Sequence, residues 1–189
     1  MEPHDVALER HQQILLKAAE VLGPLGFRKK GFGLWKKSAD GNRFAGFLAR
    51  PVPRRFTGKR VEFSAITMGG WAELHALCFP KHLKPRPFDS GPEFAHFEHD
   101  MLIPKGDGFI AKCWTVWPST ELAEFWPAFY ERILSDTLPA VETMFDRRAL
   151  VAALERSAGG GSIYIRAVDH TLQPQVIEIM KSGTDVAYS

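Results

Sequence analysis

Only two cysteines, Cys78 and Cys113, occur in 189 residues. That is too few for a disulfide framework, and the paired Cys-x-x-Cys units of structural zinc modules are missing. The first residues, MEPHDVALERHQQ, are polar and acidic and lack the apolar centre of a signal peptide, so the reading expects two reduced thiols in a cytoplasmic protein. No apolar run approaches the ~18 residues needed to cross a bilayer, so no membrane-spanning helix is expected in this sequence. Large net charge is absent too: 24 Lys and Arg face 22 Asp and Glu, a balance of +2. Catalytic signatures are likewise missing. There is no Gly-x-Ser-x-Gly elbow and no HEXXH helix, and Asp89-Ser90-Gly91 is tied to no histidine base. Gly159-Gly160-Gly161-Ser162 is followed by Ile163 and an expected strand, where a phosphate loop needs a lysine and a helix N-terminus. These absences favour binding over catalysis.

What is present is an ordinary globular pattern, 45% hydrophobic and 24% charged. Asp5 is placed to cap a first helix, in which Ile14, Ala18, Leu22 and Leu25 recur at helical spacing, widened by Leu15 and Val21. Gly23-Pro24 ends it. Three strands are then expected near 27–37, 43–50 and 60–68. Asp40-Gly41 supplies a tight turn between the first two, and Val61, Phe63 and Ala65 alternate with polar neighbours in the third. In the first, Phe32 and Leu34 share one face and Trp35 takes the other, while Gly31 and Gly33 point to a bulge or a close backbone approach. Five prolines between Pro80 and Pro104 exclude a long regular element across 69–108, apart from a short helix near Trp71–Phe79. A fourth strand, near 109–117 and covered on both faces, completes one mainly antiparallel sheet. Helices follow, with apolar stripes at Leu122, Phe125, Trp126, Phe129 and Ile133, then after Thr137, then from Asp146. Pro127 predicts a kink or restart within the first of these. Past Ser157–Ser162, IYIRAV is read as a short strand and Gln173–Lys181 as a short helix.

The order of these motifs resembles the domain-of-unknown-function family 4304. The resemblance rests on Leu22–Lys37 (LGPLGFRKKGFGLWKK), Ile66-Thr67-Met68-Gly69, Lys112-Cys113-Trp114, Thr137–Glu142 and the Asp146–Leu154 helix, covering roughly residues 8 to 156. It implies an α+β fold and a bacterial source, and supplies no catalytic residues.

Two groups of residues are candidates for function. The first 60 residues hold 13 Lys and Arg against 5 Asp and Glu, and the rest of the chain holds 11 against 17. Arg28, Lys30 and Lys36 fall on one parity of the first strand, and Arg54, Arg55, Lys59 and Arg60 crowd the loop after the second. Positive charge among aromatics can hold an anionic macromolecule, single-stranded nucleic acid included, although no nucleic-acid motif accompanies it. Equally, lysines can guard a sheet edge, or the basic and acidic parts can face each other. The second group is His75, Cys78, His96 and His99, whose i, i+3 spacings suit zinc on a helix or turn; burial of the neighbouring aromatics explains the same loop without metal. Cys113 reads as a buried core thiol.

The expected fold is α+β: a mainly antiparallel sheet of four to six strands, with an N-terminal helix and a C-terminal helical group packed on it. Residues 1–156 form one domain, and 157–189 an extension packed on it. The expected function is non-enzymatic binding of another protein or of an anionic macromolecule, without cofactor or membrane partner. The alternatives are a metal protein or enzyme using loop 75–100, or nucleic-acid binding through the basic 28–60 surface.

Overall fold

The computed structural model describes residues 2–78, 88–100, 102–105, 108–111, 113–157, 163–165 and 173–182. Its main sheet contains β1 (Arg28–Lys30), β2 (Gly33–Lys37), β3 (Arg43–Leu48), β5 (Ile66–Trp71), β6 (Phe97–Asp100) and β10 (Tyr164–Ile165), hydrogen-bonded in that spatial order. Every pairing in it is antiparallel. Two small ribbons stand apart from it: β4 (Val61–Phe63) with β9 (Trp114–Val116), and β7 (Leu102–Lys105) with β8 (Gly108–Ala111). The helices are α1 (Pro3–Leu22), α2 (Arg54–Thr57), α3 (Ala72–Cys78), α4 (Leu122–Arg132), α5 (Leu138–Phe145), α6 (Arg147–Ser157) and α7 (Gln173–Ser182). This is the expected α+β architecture, with an N-terminal helix and a C-terminal helical group on the sheet. Among the described residues no helix is long and apolar enough to cross a membrane.

The two faces of the sheet differ. On the helix side Leu34, Ala45, Phe47, Trp71 and Phe97 join Ile14, Leu15 and Leu22 of α1, Phe129 of α4 and Met144 of α5 in the main core. Each fully buried Phe or Leu contributes roughly 1.5–3 kcal/mol there. On the far side Trp35, Phe44, Met68 and Ala95 make a smaller cluster, over which Phe88 packs 5.5 Å from Phe44. Gly46 is required in β3, because a Cβ there would lie 2.0 Å from the Leu34 carbonyl oxygen. The terminal segment joins the same body: β10 extends the sheet, and Val176 and Met180 of α7 are fully buried in the main core.

Several expectations are corrected. The stretch 27–37 is a hairpin and not one strand, because Gly31 takes a left-handed φ of 60° and turns the chain between Lys30 and Gly33. The stretch 60–68 breaks at Ser64-Ala65, so β4 leaves for its own ribbon while β5 enters the main sheet. The stretch 109–117 also divides, into β8 and β9, and neither belongs to the main sheet. Its place is taken by β6, from the proline-rich region expected to be irregular, which pairs Gly69 with Phe97 and Thr67 with His99. Helix α1 begins at Pro3, a favoured first-turn position for proline, with Glu2 and not Asp5 at its cap. Leu25 lies in the 3-10 turn that follows α1 and is exposed. Trp71 ends β5, fully buried, instead of opening a helix. Cys113 and Trp117 are exposed, against a strand expected to be covered on both faces. The chain neither restarts at Pro127 nor leaves the helix there: α4 runs through it into a π-helical turn (Ile133–Thr137) and on into α5. Asp146 does cap α6, its Oδ1 accepting from the Ala149 N–H at 2.8 Å.

Candidate interaction surface

The hairpin at Gly31 redistributes the basic residues of the first strand pair. Register pairs Arg28 with Trp35 and Lys30 with Gly33. Residues directly opposite each other share a face, so Arg28 and Lys30 lie with Trp35 and Lys37 on the far side. Lys36 lies with Leu34 on the helix side. The expected grouping of Lys36 with Arg28 and Lys30 is therefore wrong: it assumed one continuous strand. On the far side Lys37 Nζ donates to Asp89 at 2.7 Å, and Lys30 Nζ reaches the same carboxylate at 3.5 Å and the Ser90 carbonyl at 3.1 Å. The Lys37 hydrogen bond, then the Ser90 N–H, hold the Asp89 carboxyl well below the usual carboxylate range. Here the basic N-terminal part meets an acid of its own chain.

The second basic group is arranged differently. After β3 the chain passes Pro51-Val52-Pro53, makes the single turn of α2 and enters β4 through Gly58, whose φ of 65° suits glycine. Arg54, Arg55 and Lys59 are exposed along this corner. Phe56, in their midst, is 65% exposed, with the Arg55 guanidinium 4.6 Å from its ring centroid. Arg60, just ahead of β4, lies 5.4 Å from the ring centroid of Trp117, which follows the paired strand β9 and is 47% exposed. The Val61–Val116 pairing sets those two residues side by side. Two carboxylates sit within the group: Glu62 accepts from Arg60 Nε at 2.6 Å, and Glu2 lies 3.7 Å from Arg54 Nη2. Phe56 and Trp117 were not singled out in the sequence. The signal for Phe56 was its isolation inside a basic run between proline and glycine, where no apolar partner recurs at strand or helix spacing.

The histidine group does not converge as its spacing implied. Residues 97–100 form a strand, so His96 and His99, three apart, project to opposite faces. His99 shares the helix side with Phe97 and Thr67, while His96 stacks on Phe88 (ring centroids 6.3 Å apart), which covers the far side. His75 of α3 comes near His96, at 6.3 Å between centroids, and edge-on to Phe88 at 5.7 Å. The side chain of Cys78 lies outside the described residues. Among the described residues no three His, Cys, Asp or Glu side chains are grouped to hold a metal ion. The state of His96 also opposes ligation. The backbone N–H of Trp71 donates to Nδ1 at 3.1 Å, so the neutral ring carries its proton on Nε2, the nitrogen a metal would need. Burial, then neighbouring His75, lowers its pKa from 6.5 to about 3, which keeps the ring neutral; a neutral ring is the form a metal takes, so it is the tautomer and not the charge state that opposes ligation.

Between these regions Trp71 forms a structural hub. Its ring lies under Arg43, 3.9 Å away, and Arg147, 5.1 Å away, and its Nε1 donates to the Met144 carbonyl at 2.7 Å. Arg43 donates to the Phe145 carbonyl at 2.8 Å, capping the C-terminus of α5. Arg147 reaches the Met180 carbonyl of α7 at 3.0 Å and both oxygens of Glu73 in α3. These bonds tie α5 to the sheet and α6 to α3 and α7, which makes the network scaffold.

Comparison of the chain with protein-family models, curated proteins and solved structures finds no match to any of them. The reading of the α2–β4–β9 corner therefore rests on its geometry.

Proposed function

We propose that this protein is a non-enzymatic interaction domain that binds a protein partner through the corner formed by α2, the start of β4 and the end of β9. One observation carries the reading: two large aromatics, Phe56 and Trp117, stand in solvent, each with an arginine guanidinium against its ring. Exposed single apolar residues are ordinary, but Trp and Arg together are the residue types enriched at the energetic centres of protein interfaces. The rest of the scaffold contributes rigidity, since β4 pairs with β9 and Val61, Phe63 and Val116 beneath the corner are fully buried. Catalysis has less support. His96 is held neutral with its Nδ1 engaged, and Cys113, exposed beside Ser64 at 3.5 Å, has no base among its described neighbours.

The test is a paired capture experiment. Wild-type protein and the Phe56→Ala/Trp117→Ala variant, immobilised separately, are exposed to the same extract of the source cells. Discrete polypeptides held by the first and lost from the second support the reading, provided both melt at the same temperature. Equal capture by the two counts against it.

A further inference from the structure

The chemistry of the partner follows from Arg60, and this step rests on the interaction reading above. The Arg60 guanidinium makes two contacts: Nε donates to Glu62 at 2.6 Å, and Cζ lies over the Trp117 ring, 5.4 Å from its centroid. These two contacts reduce the rotamer freedom of a long side chain before any partner arrives. Among the described residues nothing accepts from Nη1 or Nη2. That pair of N–H groups, on a side chain 36% exposed, is an edge of guanidinium able to donate to an oxyanion in two parallel hydrogen bonds. Arg55 and Lys59 add exposed positive charge beside it, and Phe56 and Trp117 add apolar surface.

We propose that the corner receives an extended protein segment in which carboxylate and apolar side chains alternate. One carboxylate seats on the Nη edge of Arg60, and an adjacent apolar side chain covers Trp117 or Phe56. Phosphate matches the same edge, but three features favour carboxylate. The sequence pI of about 8.6 and net charge of +2 fall short of the strongly basic footprint of nucleic-acid binders. Glu2 and Glu62 lie inside the corner, where they oppose a closely spaced phosphate backbone more than a segment with separated carboxylates. Each exposed ring already carries a guanidinium on a face, which reduces the surface for stacked bases.

Fluorescence anisotropy with two probes decides the matter: a labelled peptide of alternating glutamate and leucine, and a labelled oligothymidylate of equal charge. The peptide is expected to bind, with the oligothymidylate at least about tenfold weaker at the same salt concentration. Arg60→Lys, which keeps the charge but removes the fork and its stacking, is expected to weaken the peptide about tenfold; Trp117→Ala is expected to weaken it comparably. Both side chains are part-exposed, and thermal melts verify that the variants remain folded. Oligothymidylate binding as tight as the peptide's overturns the proposal in favour of nucleic acid. Arg60→Lys binding like wild type overturns it in favour of bulk charge. Absence of peptide binding, while polypeptide capture still depends on Phe56 and Trp117, rejects the acidic segment and leaves the interaction surface standing.

Discussion

His11 makes the fold sensitive to acid, and the size of the effect follows from its surroundings. It lies on the inner face of α1, wholly buried, 4.5 Å from the ring of Phe63 and 5.9 Å from that of Phe32. Neither ring nitrogen makes a hydrogen bond of normal geometry. Burial lowers its pKa from 6.5 to about 4, opposed by the Ala49 backbone and assisted by the charge of Lys29. The folded value lies below the unfolded one, so the unfolded chain takes up the proton first. Stability is therefore full above pH 6.5 and falls as pH drops, by ~1.4 kcal/mol per unit, until the folded ring also protonates near pH 4. At pH 5 the loss is ~2 kcal/mol, and His96, with its pKa lowered to about 3, contributes a similar ~2 kcal/mol. His11→Leu removes the first contribution at little cost in packing, since an apolar residue of similar volume replaces a group without partners. Urea denaturation of both proteins at pH 7.5 and pH 5 reads the difference. The variant is expected to lose ~2 kcal/mol less than wild type over that interval. An equal loss in the two proteins refutes the assignment of His11 as a buried neutral group.

Trp71→Phe should remove the donor to the Met144 carbonyl and weaken both arginine contacts, lowering stability by ~2–4 kcal/mol in the same denaturation assay. Gly46→Ala should cost more and largely abolish soluble folded protein, because its Cβ meets the Leu34 backbone and no side chain can move aside. If His96 holds its proton on Nε2, its Nδ1 should show the nitrogen-15 shift of an unprotonated acceptor from about pH 5 to pH 8. By the same argument added zinc should leave the melting temperature unchanged; a stabilisation by zinc would restore the metal reading.

The sequence displayed helices better than strand partnership. The stripes of α1, α4 and α6 were legible because a helix closes its hydrogen bonds locally, and one periodic face reports its burial. The sheet depends on distant partners and on single turns. From the sequence Gly31 and Gly33 point to a bulge or a close backbone approach, whereas the left-handed turn at Gly31 reverses the facing of Lys36 relative to Lys30. β6 is hidden because its four residues, Phe97–Asp100, hold one apolar side chain and lie between Pro92 and Pro104, and only pairing with β5 makes them a strand. The histidine spacing misled for the same reason: i, i+3 gathers side chains on a helix and separates them on a strand. Of the candidate surface, Arg54, Arg55, Lys59 and Arg60 were visible as charge. The two aromatics that give the corner its character were not, because exposure of Trp117 depends on where β9 ends against β4.

Trp117 also provides the most direct measurement. Of the five tryptophans it alone is exposed: Trp35, Trp71 and Trp126 are buried and Trp114 is half-buried. Hydroxyl-radical footprinting read by mass spectrometry therefore reports on it among the tryptophans, and on exposed Phe and Leu side chains as well. With a captured partner bound, Trp117 and Phe56 are expected to be strongly protected, while the oxidation of exposed Leu25 and Leu134 is unchanged. Full oxidation of Trp117 in the bound state, with protection at another face, would contradict the account.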